Sequence, residues 1–188
     1  MRGPGQRAGL TRAAVLAAAR ALLAEGGVDA VSMRALARRL DVAPNALYSH
    51  VESKTQLLDD LLDDLLAAVD VPEPDVADPV AGVTALMTSS YEVLVAHPDL
   101  TVLALARQGA RGPNAVRLGV VTDALLARAG VPEPAVPLAR RVLIVHSIGS
   151  AAFAASAGPT PVLGAGELRR GFDRGLEWLL AGMPKAPA

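Results

Sequence analysis

One stretch of the chain, residues 32–58, constrains the fold more than any other. It reads SMRALARRLDVAPNALYSHVESKTQLL. Its first apolar residues recur three, four and seven positions apart, so they form one buried stripe of a short helix that Ser32 is suited to cap. Residues 41–43 then leave room for a tight turn. The pattern predicts two short helices joined by that turn. The apolar stripe consists of Met33, Leu36, Ala37 and Leu40.

The second short helix is predicted to begin at Pro44, because proline is well suited to the first position of a helix. Successive residues of a helix are separated by about 100°, which places Leu47 and Val51 on a buried face. The opposite face is polar and can enter a groove. Ser53 and Gln56 have the spacing of a capping box that opens a third helix, with Lys54 in its first turn.

The motif L-Y-x-H-[FV]-x-x-K-x-x-L is matched by Leu47, Tyr48, His50, Val51, Lys54 and Leu57. This pattern resembles the DNA-binding domain of the TetR (tetracycline-repressor) family of bacterial transcriptional regulators. The resemblance extends from Leu10 to about Leu66. It implies a cytoplasmic homodimeric repressor that binds a palindromic operator in double-stranded DNA and is released by a small-molecule effector. A regulator that is ligand-independent, or controlled by a protein partner, would have the same motif.

The side chains expected at the DNA combine phosphate and base contacts. Tyr48 and Lys54 can bind phosphates, and the Arg34 guanidinium suits guanine or phosphate. Asn45 and Ser49 can reach base edges. His50 can turn to a phosphate or pack against the next helix. The full set of predicted DNA-binding residues is Arg34, Pro44, Asn45, Tyr48, Ser49, His50 and Lys54.

The charge of the chain is unevenly distributed. Residues 1–55 hold eight Lys/Arg and four Asp/Glu, whereas residues 56–78 hold eight acids and no Lys/Arg. A basic N-terminal module is the electrostatic pattern expected of a phosphate-binding surface. Asp59, Asp60, Asp63 and Asp64 could be taken for a metal site. Their alternation with leucine pairs instead predicts a solvated helix face and no metal.

Helical periodicity dominates the whole sequence and predicts an all-α protein. The predicted domains are a helix-turn-helix domain at 1–52, a linking helix and joint at 53–78, and a helical ligand-binding and dimerisation domain at 79–188. The helices of the last domain are expected at 79–96, 99–108, 114–129, 135–157 and 165–181. Glycine and proline residues separate these segments.

The family resemblance implies that the C-terminal domain contains a ligand cavity and that its last two helices form a dimer interface. The candidate cavity residues are Met87, Tyr91, Leu103, Arg107, His146 and Phe153. Methionine and phenylalanine at helical spacing are usually core residues, and a lone histidine in an apolar stretch usually packs inside the protein. The candidate interface residues are Val145, Gly149, Ala152, Phe172, Gly175, Leu176 and Leu179. Glycines along one face of a helix allow another helix to approach closely, although that neighbouring helix could belong to the same chain.

The sequence contains no recognised catalytic motif, so no enzymatic role and no cofactor are expected. Its three histidines lie in different segments, and the chain has no cysteine, which removes disulfides and thiolate metal ligands. The longest apolar windows, such as 142–157, are expected to be too short to span a membrane. Together with the absence of a signal-peptide core, this predicts a cytoplasmic protein.

Overall fold

The computed structural model describes residues 10–156 and 162–185, and within these ranges it contains helices but no strand. The all-α prediction is therefore confirmed. The chain folds into two compact units, one ending at Leu61 and the other beginning at Leu62. This division falls inside the segment 53–78 that the sequence predicts to link the two domains.

The first unit contains the helix-turn-helix. Helix α1 covers Arg12–Ala30, α2 covers Met33–Leu40, and α3 covers Pro44–Leu47. Helix α4, Lys54–Leu66, begins in this unit and continues into the second. The core of this unit includes Leu23, Leu36, Leu47 and Leu57, all nearly or fully inaccessible to solvent.

The helix caps predicted from the sequence are present in the first unit. Ser32 Oγ accepts a hydrogen bond from Ala35 N at 3.1 Å, and Gln56 N donates to Ser53 Oγ at 3.1 Å. Gly27 has a left-handed φ of 68°, which glycine adopts without a Cβ penalty and which interrupts the geometry of α1. A short helical segment then continues to Ala30.

The second unit is a helical bundle. Its helices are α5 at Pro79–Val95, α6 at Pro98–Ala106, α7 at Pro113–Arg128, α8 at Val136–Ala155 and α9 at Ala165–Ala181. Each of the four helices α5 to α8 has a proline within its first two positions, where the missing N–H breaks no helical hydrogen bond. The observed bounds lie within two residues of the predicted ones. Helix α8 packs against all four of the others.

One expectation about apolar length is wrong. Within the described residues, Glu133–Ala155 is long and apolar enough to cross a membrane by length and composition alone, and α5 with α6 passes the same test only as a pair bent by 111°. The sequence window missed this segment because it began too late, at residue 142. Such a segment is weak evidence for a membrane span, since core helices of soluble proteins share its properties.

Candidate nucleic-acid interface and internal cavity

The two faces predicted for the second short helix are present in α3 and the turn that follows it. Leu47 and Val51 are buried, with at most 1% of their surface exposed. Pro44, Asn45 and Tyr48 are exposed on the other side. The regular helix ends at Leu47, so Tyr48 and Ser49 lie in a turn, where Ser49 Oγ donates to Ala46 O at 2.8 Å. His50 is half-buried.

Helix α2 contributes three arginines to this unit, of which two have no partner within the described ranges. Arg34 and Arg38 are exposed, lie four residues apart on one side of α2, and have no hydrogen-bond or ion-pair partner among the described residues. Arg39 differs from them, because its guanidinium donates to Glu25 Oε2 at 2.8 Å. This hydrogen bond lowers the pKa of Glu25 and raises the pKa of Arg39. The prediction named Arg34 but missed Arg38, which the spacing of the two arginines could have indicated.

Lys54 has an internal partner that the sequence did not predict. Its Nζ donates to Val28 O at 2.9 Å, and the side chain is half-buried. This bond attaches the first turn of α4 to the end of α1. An ammonium group has three donors, so two remain for other acceptors. Lys54 is thus a structural link as well as a predicted phosphate ligand.

The second unit contains a cavity of about 180 Å³. Leu62, Leu65 and Leu66 of α4 line it, together with residues from α5, α6, α7 and α8 and from the segment after α6. Among the described lining residues none is charged or aromatic. The polar side chains that line the cavity are Ser90, Gln108, Thr122 and Ser147.

Of the six residues predicted to line a cavity, Met87 lines this one. Phe153 does not, because 65% of its surface is exposed, so this prediction is corrected for the isolated chain. Leu103 is buried but outside the lining, and Arg107 is half-buried outside it.

Tyr91 and His146 also lie outside the lining, because both stack on Phe172. The ring centroids are 4.1 Å apart for Tyr91 and Phe172 and 5.1 Å apart for His146 and Phe172. Burial raises the pKa of Tyr91, so the phenol stays protonated at neutral pH. The three rings join α5, α8 and α9 as core, which is the ordinary role of aromatic residues at helical spacing.

The predicted solvated acidic face of α4 is wrong at Asp63. Only 9% of this residue is exposed, and its carboxylate accepts hydrogen bonds from Ala115 N at 3.0 Å and Asn114 Nδ2 at 3.0 Å. Gly112, which precedes α7, has no side chain to cap that helix, and an added Cβ there would collide with the Asp63 carboxylate. Asp63 therefore caps α7 from another helix. Asp60 is also engaged, in an ion pair with Arg12 at 2.7 Å.

The helix-turn-helix geometry is matched by known proteins. A family model described as "Bacterial regulatory proteins, tetR family" matches residues 15–61. An HTH-type transcriptional regulator of Saccharopolyspora erythraea is 32% identical, and the match covers 93% of this chain and 84% of that protein. The chain belongs to the TetR family.

Solved structures extend the similarity of this TetR-family regulator to both units. Apo ActR from Streptomyces coelicolor superimposes with a TM-score of 0.81 at 28% identity, covering 93% of this chain and 95% of that one. The same protein has been solved in complex with actinorhodin, with a TM-score of 0.81 at 27% identity over 93% and 95% of the two chains. BioQ bound to its natural double-stranded DNA operator gives 0.73 at 27% identity over 92% and 97%. Each unit is thus similar in fold to solved members of the family.

The predicted dimer residues of this TetR-family protein fall into two groups. Phe172, Leu176 and Ala152 are buried within the chain, so they cannot offer a free surface. Gly175 is close to His146, since an added Cβ would lie 2.6 Å from its Cε1, and Leu179 is half-buried. The close approach that the glycine predicted is therefore intramolecular.

Val145 and Gly149 belong to the second group, which is exposed on α8. A Cβ added at Gly149 meets no atom within 4 Å. Further apolar residues are exposed at helical spacing on the same helix, and 70% of Trp178 on α9 is exposed. The α8 stripe consists of Leu138, Val142, Val145, Gly149 and Phe153.

Proposed function

We propose that the protein is a cytoplasmic, homodimeric repressor that binds a palindromic operator and is released by a small molecule. The proposed DNA-binding role is supported above all by the exposed polar face of the helix-turn-helix beside Arg34 and Arg38. These two arginines pair with no other group in the described part of the chain. Such cations release counterions when they bind phosphate, which supplies much of the affinity for DNA. The operator complex of BioQ supports the same assignment.

The contacts within the proposed interface divide into positioning and reading roles. Arg34, Arg38, Tyr48 and Lys54 bind phosphates, because they carry a charge or a hydroxyl near the helix-turn-helix surface. Asn45 is exposed at the start of α3 and reads a base edge, with Pro44 beside it. Ser49 and His50, which lie in the turn after α3, add further contacts to the DNA.

The α8 stripe supports the homodimer. Five residues at successive spacings of three or four place an apolar face on one side of a long helix. A surface of this kind excludes water best when a second copy covers it, and symmetric pairing is the commonest way for a soluble protein to do so. The open space at Gly149 allows a partner helix to approach closely.

The cavity supports the effector, and α4 supplies the route of the signal. Leu62, Leu65 and Leu66 form part of the cavity wall, and the same helix begins in the first unit at Lys54. A ligand that packs against these leucines can favour one position of α4, provided that it binds that state more tightly. The ActR complex with actinorhodin supports a small-molecule effector for this chain.

DNA binding is tested by electrophoretic mobility shift with the DNA that flanks the protein's own gene. Arg34→Ala and Arg38→Ala should each weaken binding and reduce the slope of log K against log salt by about 0.9, the value expected for one lost phosphate contact. Arg117→Ala, which removes an exposed arginine from α7, is the matched control and should leave the slope unchanged. Equal slopes for all four proteins would exclude the proposed phosphate contacts.

A further inference from the structure

The three hydroxyls that line the cavity share one hydrogen-bond arrangement. Each donates its proton to the backbone carbonyl four residues earlier. Ser90 Oγ lies 2.8 Å from Leu86 O, Thr122 Oγ1 lies 2.7 Å from Leu118 O, and Ser147 Oγ lies 3.0 Å from Leu143 O. A hydroxyl has one proton and two lone pairs. With its proton committed to the helix, each oxygen retains the capacity to accept a hydrogen bond. The hydroxyls therefore favour a ligand that donates.

The absence of charge among the described lining residues limits the ligand further. A buried ion needs a partner of opposite charge or several hydrogen bonds, and this lining offers no such partner. A cation could be held instead by an aromatic face, but Tyr91 and Phe172 stack on each other outside the lining. Neither an anion nor a cation is matched by these walls.

Gln108 is the lining side chain that can both donate and accept. Its backbone has a left-handed φ of 57° just after α6, and Gly109 N then donates to Ala104 O at 2.8 Å. This turn fixes the residue at an exposed position of the lining. At that position Gln108 can donate a hydrogen bond to an acceptor on a ligand, while the half-buried and buried hydroxyls accept hydrogen bonds from ligand donors.

We propose that the cavity takes a neutral, mainly apolar molecule that carries a hydroxyl or N–H donor, which is accepted by Thr122 and Ser147. The volume of about 180 Å³ is slightly larger than the roughly 150 Å³ apolar cavity that admits benzene. The expected ligand therefore has the size of one ring or of two fused rings. Leucine and Met87 walls supply the apolar contact. This inference rests on the proposed function, in which the cavity is the effector site.

The test uses isothermal titration calorimetry of the full chain at pH 7 with three probes of one ring system. These are 2-naphthol, which donates, 2-methoxynaphthalene, which only accepts, and 2-naphthoate, which is an anion. We expect 2-naphthol to bind about two- to tenfold more tightly than the methyl ether, the range expected for one hydrogen bond, and 2-naphthoate to bind most weakly.

Two variants locate the acceptors. Thr122→Val and Ser147→Ala should reduce the preference for 2-naphthol over its methyl ether, because each removes one accepting oxygen. Thr84→Val is the matched control, since Thr84 makes the same bond to a carbonyl four residues earlier, at 2.9 Å to Val80 O, but does not line the cavity. Thermal unfolding midpoints verify that each variant is folded.

Equal binding of 2-naphthol and its methyl ether, tighter binding of 2-naphthoate, or no binding of any probe would overturn the proposed ligand class. A preference that Thr84→Val lowers as much as Thr122→Val would do the same. Operator binding without any probe is measured in parallel by mobility shift. A chain that binds DNA but fails these tests retains its proposed regulatory function, whereas a chain that fails to bind DNA loses that function whatever the probes do.

Discussion

Asp63 is the residue whose surroundings differ most from its sequence pattern. The repeat LLDDLLDDLL predicts that every aspartate faces solvent, yet Asp63 is buried and caps the start of α7. A carboxylate at a helix N-terminus satisfies backbone N–H groups that have no partner within the helix. The partners, Asn114 and Ala115, are 51 and 52 residues away, so no local pattern could indicate them.

Asp63→Ala should lower the free energy of unfolding by about 1–3 kcal/mol, because Ala115 N and Asn114 lose a buried acceptor. Asp75→Ala, which removes an exposed aspartate before α5, should change it by less than about 0.5 kcal/mol. Urea denaturation followed by circular dichroism measures both. A loss for Asp63→Ala no greater than for Asp75→Ala would contradict the capping role.

Two glycines of α9 should respond in opposite directions to the same substitution. Gly175→Ala forces a Cβ to within 2.6 Å of His146 and should destabilise the fold by about 1–3 kcal/mol. Gly171→Ala meets no atom within 4 Å and should stabilise by about 0.5–1 kcal/mol, because alanine is the better helix former. Thermal unfolding of the two variants decides. A shift of the same sign in both would contradict the packing of His146 against Gly175.

At the scale of helices, the sequence predicted most of what the structure contains. The starts and ends of α5 to α9 follow from proline and glycine positions, and the capped start of α2 follows from Ser32. The assignment of helix faces in the second unit was less successful, because periodicity alone does not tell which neighbour covers a stripe. Phe172 and Phe153 both have helical spacing, but one is core and the other is exposed.

The α8 stripe makes the clearest prediction about an element. Val145→Glu should convert the proposed dimer to monomer without loss of helix content, because it introduces a charge into the proposed water-excluding interface. Val116→Glu on α7 is the matched control, since 61% of Val116 and 63% of Val145 are exposed. Sedimentation velocity distinguishes the two variants. A Val145→Glu protein that remained a tight dimer would move the interface away from this face of α8.

Across the whole molecule, helix α4 belongs to both the proposed DNA-binding unit and the unit that contains the cavity. Leu62, Leu65 and Leu66 line the cavity, while Leu57 and Leu61 of the same helix belong to the core of the first unit. The sequence predicted the start of this linking helix from the capping-box spacing of Ser53 and Gln56. In the proposed function, the number and spacing of operator half-sites depend on the dimer, since one recognition element reads only a few base pairs.

Hydroxyl-radical footprinting on the DNA that flanks the protein's own gene tests the proposed binding of a palindromic operator most directly. A symmetric dimer should protect two groups of sugars related by an inverted repeat, with centres separated by roughly 34–36 Å or more. The Arg34→Ala and Arg38→Ala variants should lose both groups together. Protection of a single asymmetric half-site at full affinity, or no protection at salt concentrations that permit nonspecific binding, would contradict the proposed dimeric regulator.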